Sequence, residues 1–185
     1  KNLNFIKTIV DYGNSLLGRG SWGIGPREEV EKLKYFLPRD IDIVIDVGAH
    51  NGQFSDNIIS EFNFNNLYML EPSKTCYENL LEKFNNLENI HIFNFGLSDK
   101  EETAIFYGEF PGDSHSGVYK RKLRHFEKNY SEVERVNLKT FDEFWKNTLQ
   151  NKEIDLLKVD VEGHELAALK GATESLKSIK VIQFE

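Results

Sequence analysis

Short apolar runs alternate with amphipathic stretches along this chain, and Gly, Pro, Ser and Asp separate them. Residues 1–40 read as a helical lead-in. Within them, residues 3–10 have the spacing of a short amphipathic helix. Gly18-Arg-Gly-Ser-Trp-Gly-Ile-Gly25 is glycine-rich but lacks the strand-then-helix setting of a phosphate loop. It reads as a flexible connection with Trp22 as its anchor. Pro26 then opens a helix over 27–36, with Val30, Leu33 and Leu37 on one face.

From Ile41 the pattern switches repeatedly between strand and helix periods. Strands are predicted over 43–47, 67–70, 90–95 and 154–159, with a final one over 180–184. Helices are predicted over 55–62, after Ser73 through Phe84, after Thr140 to about Asn147, and over 165–176. Residues 103–107 form a shorter β-type run, and 133–138 alternate like an edge strand. Residues 108–132 are polar. This order predicts an α/β fold with a doubly wound, mostly parallel sheet. Ligands of such sheets sit beyond the carboxyl ends of the strands. The polar groups expected there are Asp46, Glu71, Ser98, Asp99, Asp160, Glu162 and Glu185, so acidic groups crowd the predicted cleft.

Length and composition narrow the class. With 185 residues, one domain with a single sizeable core is expected. A net charge of -7 argues against nucleic acid as a partner, because phosphate binding draws on clustered Lys and Arg. The one cysteine, Cys76, permits no internal disulfide and suits a reducing, cytoplasmic setting. No apolar stretch approaches the ~20 residues of a membrane span. The chain opens on Lys1 and stops at Val181-Ile-Gln-Phe-Glu185, inside an expected strand. It therefore reads as part of a longer protein, with further C-terminal strands beyond it.

The segment with most chemistry is Asp46-Val-Gly-Ala-His-Asn-Gly52, at a strand-to-helix turn. Gly48 and Gly52 permit positive φ and close backbone approach. Counted from Gly48, the third and sixth positions are His50 and Gln53, so the dinucleotide glycine pattern fails. This demotes a nicotinamide oxidoreductase, which stays as the rival enzyme reading. A carboxylate at Asp46 repels a pyrophosphate but suits an ammonium and a sulfonium. S-adenosylmethionine (SAM) is the expected ligand. Glu71, followed by Pro72, follows about twenty residues later and can accept both ribose hydroxyls. Ser98-Asp99 would close the third strand beside the purine, or make a plain turn.

Leu157-Lys-Val-Asp-Val-Glu-Gly-His-Glu165 is the second such segment. Asp160 or Glu162 can hold the SAM ammonium, position an acceptor or bind a metal. His164 is the first candidate base and Glu162 the second. The alternative for His164 is a place in the first turn of a helix. No dedicated metal-ligand cluster is visible, so no metal is assigned. The basic run Lys120-Arg-Lys-Leu-Arg124, with His115, Tyr119 and His125 nearby, is a solvated loop or a lid that meets an anionic substrate.

Together these segments resemble the FkbM family of SAM-dependent methyltransferases. The matching blocks are Asp46-Val-Gly-Ala-His-Asn-Gly-Gln-Phe-Ser55, Glu71-Pro72, Gly96-Leu-Ser-Asp99, Leu157–Glu165 and Leu169-Lys-Gly171. They cover roughly 41–185, which the resemblance makes the SAM-binding methyltransferase domain. It implies a class I (Rossmann-like) fold and O-methylation of a small molecule or glycan. It also implies a SAM site at Asp46, Gly48, Gly52, Glu71 and Asp99, with Ala49, His50, Pro72, Ser98 and Asp160 alongside. His50 is a departure, since the family often has Asn there. A rival of another class is a non-catalytic SAM- or nucleotide-binding module.

Overall fold

A parallel sheet forms because the apolar runs are separated by stretches long enough to cross over it. The computed structural model describes residues 26–120 and 130–184. The expectations for 3–10, Gly18–Gly25, Trp22, His125 and Glu185, and most of the basic run, lie outside the described residues.

The chain runs through α1 (Pro26–Leu33), β1 (Asp40–Val47), α2 (Gln53–Glu61), β2 (Asn63–Leu70), α3 (Lys74–Phe84) and β3 (Ile90–Phe93). It continues through β4 (Gly96–Leu97), β5 (Glu102–Gly108), β6 (Ser131–Lys139), α4 (Phe141–Asn147) and β7 (Ile154–Val159). The last elements are α5 (Glu165–Lys170), a 3-10 turn (Leu176–Ser178) and β8 (Ile179–Phe184). Five strands form one sheet in the order β3-β2-β1-β7-β8, with every pair parallel.

Both faces of this sheet are covered. Ile43, Ile45 and Val47 of β1 pack on one side with Phe141, Phe144, Trp145 and Val159. Val44 packs on the other with Val30, Leu33, Ile58, Leu80 and Leu156. Asp46 and Lys158 share the parity of Val44 and Leu156, so both face the α2 side, and they are register partners.

Three expectations are corrected. The third strand stops at Phe93, and Gly96–Leu97 joins a separate three-stranded sheet of order β4-β6-β5. Ser98-Asp99 therefore follows β4 instead of closing β3. Residues 131–139 are the middle strand of that smaller sheet, not an edge, with β4 parallel on one side and β5 antiparallel on the other. Helix α5 ends at Lys170 instead of running to 176. A Cβ on the next residue, Gly171, would lie 2.1 Å from the Ser98 carbonyl oxygen. Glycine there lets the two backbones touch and ends the helix. Thr140 caps α4 as expected, its hydroxyl accepting from Glu143 N at 3.2 Å.

Candidate active site

The turn after β1 is built from left-handed backbone. Gly48, His50 and Gly52 have φ of 76°, 48° and 73°. His is among the residues that enter this region most readily, as is Asn, so His50 keeps the turn. A Cβ on Gly48 would lie 1.9 Å from the Asp160 carbonyl oxygen. The ends of β1 and β7 thus meet through backbone alone. The Gly48 N–H donates to Leu70 O at 2.9 Å, which ties the turn to β2.

Glu71 closes the other side of this turn. Its carboxylate accepts from His50 N at 2.7 Å and from Ser73 N at 2.8 Å. It is 4% exposed. Burial pushes its pKa up from 4.5 to about 7, against the two backbone hydrogen bonds.

Asp46 is fully buried. One oxygen accepts from Ser55 Oγ at 2.7 Å, and the other is 3.0 Å from Lys158 Nζ. The same ammonium donates to Gly48 O at 3.2 Å and lies 3.5 Å from an Asp160 oxygen. Burial alone would depress the Lys158 pKa. The Asp46 and Asp160 charges outweigh it and hold the amine above its ordinary value. The sequence reading gave Lys158 no role. Its only signal was a charge inside the apolar run Leu156–Val159, where a buried lysine requires a partner.

Beyond these strand ends lies a cavity of about 320 Å³. Gly48, Ala49, His50, Glu71, Pro72, Asp160 and Glu162 line it together with Lys158. Glu29 of α1 and Ser114, His115 and Ser116 after β5 complete the wall. Glu162 sits on left-handed backbone, φ 57°, followed by Gly163 at 97°. The loop after β5 is fastened across the cavity at Gly112, whose carbonyl is 3.2 Å from His50 Nε2 and 3.7 Å from Cys76 Sγ. Burial pushes the Cys76 thiol up to about 11, so it is not a nucleophile at neutral pH.

The remaining expected site residues lie apart from the cavity wall. Asp46 and Gly52 sit beneath it. Ser98, Asp99 and His164 form a separate group, since Ser98 directly follows β4 of the smaller sheet. His164 Nε2 is 3.0 Å from Ser98 Oγ and Nδ1 is 3.0 Å from the Tyr119 hydroxyl. Ser98 Oγ donates to Asp99 Oδ1 at 3.3 Å. Burial lowers the His164 pKa, although Asp99 opposes it. Both imidazole nitrogens are engaged, one by Ser98 and one by Tyr119. Among the described residues, no cluster of three or more His, Cys, Asp or Glu side chains can hold a metal ion. Among them, no helix is long and apolar enough to cross a membrane.

A five-stranded parallel sheet with a cavity beyond its carboxyl ends defines a Rossmann-like α/β protein. The chain belongs to the FkbM methyltransferase family, since the model of the methyltransferase FkbM domain matches residues 46–185. Methyltransferase 1 of Beauveria bassiana (strain ARSEF 2860) is 23% identical over 147 residues, which is 71% of this chain and 59% of that protein. A crystal structure of a methyltransferase FkbM from Methylobacillus flagellatus KT superposes with a TM-score of 0.51 at 17% identity. That match covers 77% of this chain and 32% of the solved one. The chain thus spans a little over half of the first relative and about a third of the second.

Proposed function

We propose that this chain is a SAM-dependent methyltransferase acting on a hydroxyl of a small molecule or glycan. The observation that carries this reading is the charge around the cavity. Glu29, Glu71, Asp160 and Glu162 line it, and Lys158, its one lysine among the described residues, is already paired with Asp46 and Asp160. Such a wall favours a ligand with an ammonium and a sulfonium and opposes a pyrophosphate. The donor set also fits the nucleoside. The Gly48–Asn51 backbone allows close approach at the start of α2, and Glu71 has lone pairs left for two ribose hydroxyls.

When bound, SAM supplies an electrophilic methyl group. The protein's part is alignment and proton removal. Orientation alone is worth several kcal/mol. Glu162, on the cavity wall beside Asp160, is the base for the acceptor hydroxyl. His164, held by Ser98 and Tyr119, braces the turn that presents Glu162. A cytoplasmic setting and no nucleic-acid partner fit the single inert thiol and the net charge of -7.

Calorimetric titration with S-adenosylhomocysteine, beside NAD, tests the reading. Micromolar binding of the first, about 8 kcal/mol, with none of the second is expected. Methyl transfer from SAM to a hydroxyl acceptor must then follow. NAD binding without S-adenosylhomocysteine binding would overturn it.

Glu71 gives this site a pH dependence. Ribose hydroxyls donate to the ionised carboxylate, so binding favours the form present above a pKa of about 7. S-adenosylhomocysteine affinity should rise about tenfold from pH 6 to 8 and then level off. Stability without ligand should move the other way. The folded state holds the Glu71 proton more tightly than the unfolded one. Its contribution is therefore full below 4.5 and declines as pH climbs to about 7. In Glu71→Gln both trends should flatten; an unchanged binding profile would exclude Glu71 as the titrating group.

A further inference from the structure

Helix α1 precedes the segment matched by the family model, yet it supplies part of the cavity wall. Val30 is fully buried and Leu33 nearly so, which anchors the helix against α2 and β1. The next-door Glu29 is thereby fixed at the cavity edge, half-buried. Its carboxylate accepts from Gln183 Nε2 at 3.1 Å. Gln183 of β8 is the register partner of Lys158, and Lys158 is that of Asp46. Asp46, Lys158 and Gln183 therefore form one row across the sheet, and Glu29 of α1 meets its β8 end.

The row distributes charge unevenly. A ligand ammonium needs two or three acceptors. At the end of β1, the Asp46 carboxylate and the Gly48 carbonyl are both taken by Lys158. Asp160 faces the same ammonium at 3.5 Å. Glu71 lies on the β2 side, against His50 and Ser73. Glu29 has only the neutral Gln183 amide, and among the described residues it forms no ion pair. Beside it, Gln183 Oε1 is buried with no hydrogen-bond partner among the described residues. Burial holds the Glu29 pKa above its ordinary value, against the pull of Lys158. A cation placed there would relieve that cost.

We propose that Glu29 receives the α-ammonium of the methionyl part of an adenosyl-methionine ligand, in place of Asp46. The assignment rests on the cofactor reading above. Its test compares two probes on the full chain: S-adenosylhomocysteine, which carries the ammonium, and methylthioadenosine, which lacks the amino-acid part. In Glu29→Gln, S-adenosylhomocysteine should bind about tenfold more weakly while methylthioadenosine binds as in wild type. Unchanged S-adenosylhomocysteine affinity would overturn the assignment. So would an equal loss for both probes, since that reports a displaced α1. Wild-type protein that binds neither nucleoside would overturn the cofactor reading itself and this assignment with it. Wild type that binds both, with no loss in the variant, removes Glu29 alone.

Discussion

Lys158→Met is expected to destabilise the protein by about 3–5 kcal/mol, the range for removing one partner of a buried ion pair. Asp46 is fully buried, and its Oδ1 faces the lysine at 3.0 Å. Without that cation the carboxylate must take up a proton or pull in water. The lysine pKa is raised, so its contribution is complete at neutral pH. It is lost only as pH climbs beyond the ordinary value of 10.5. Urea unfolding of Lys158→Met and of the double variant Asp46→Asn/Lys158→Met measures the effect. The double variant should recover part of the loss, because it leaves no uncompensated charge. If it is no more stable than Lys158→Met, the lysine acts by filling space and the ion-pair account is wrong.

Gly48→Ala should be nearly as damaging, and it should act on binding as well. Two costs add. Left-handed backbone charges a side chain roughly 1–2 kcal/mol. The new methyl carbon would also lie 1.9 Å from the Asp160 carbonyl oxygen, so the ends of β1 and β7 must separate. Gly163→Ala isolates the first cost: its φ is 97°, and nothing lies within 4 Å of the added carbon. A total of about 3 kcal/mol or more is expected for Gly48→Ala, against about 1–2 for Gly163→Ala. S-adenosylhomocysteine binding should weaken more than tenfold in the first. Equal losses in thermal or urea unfolding would show that strand contact at Gly48 is unimportant.

Much of this was legible along the chain because it is local. The strand, the glycine turn and α2 are covalent neighbours, so their period and turn chemistry appear in one short window. Glu71 was legible because Pro72 marks the strand end. Lys158 was missed because its role depends on register with a strand far away in sequence, which no window contains. Glu29 was passed over as part of a lead-in helix, since only tertiary packing turns that face toward the cavity. Ser98-Asp99 was placed at the end of the third strand on the assumption that every strand joins one sheet. The chain instead leaves the parallel sheet at Phe93 and starts a second one. Residues 133–138 looked like an edge because one face is exposed. Exposure of a face, however, does not say how many strands pair at the sides.

The pairing of β1 with β7 has a consequence for the order in which the molecule is made. Lys158 and Gly48 are 110 residues apart. A nascent chain can fold β1, α2 and β2 from near neighbours, but Asp46 then has no counter-ion until β7 has left the ribosome. Long-range pairing of this kind must meet the entropy of closing a large loop before it returns any contact. The half that carries β1 and its glycine turn is therefore not a portable module. Transplanted without β7, its turn would carry the right glycines around an unneutralised buried acid.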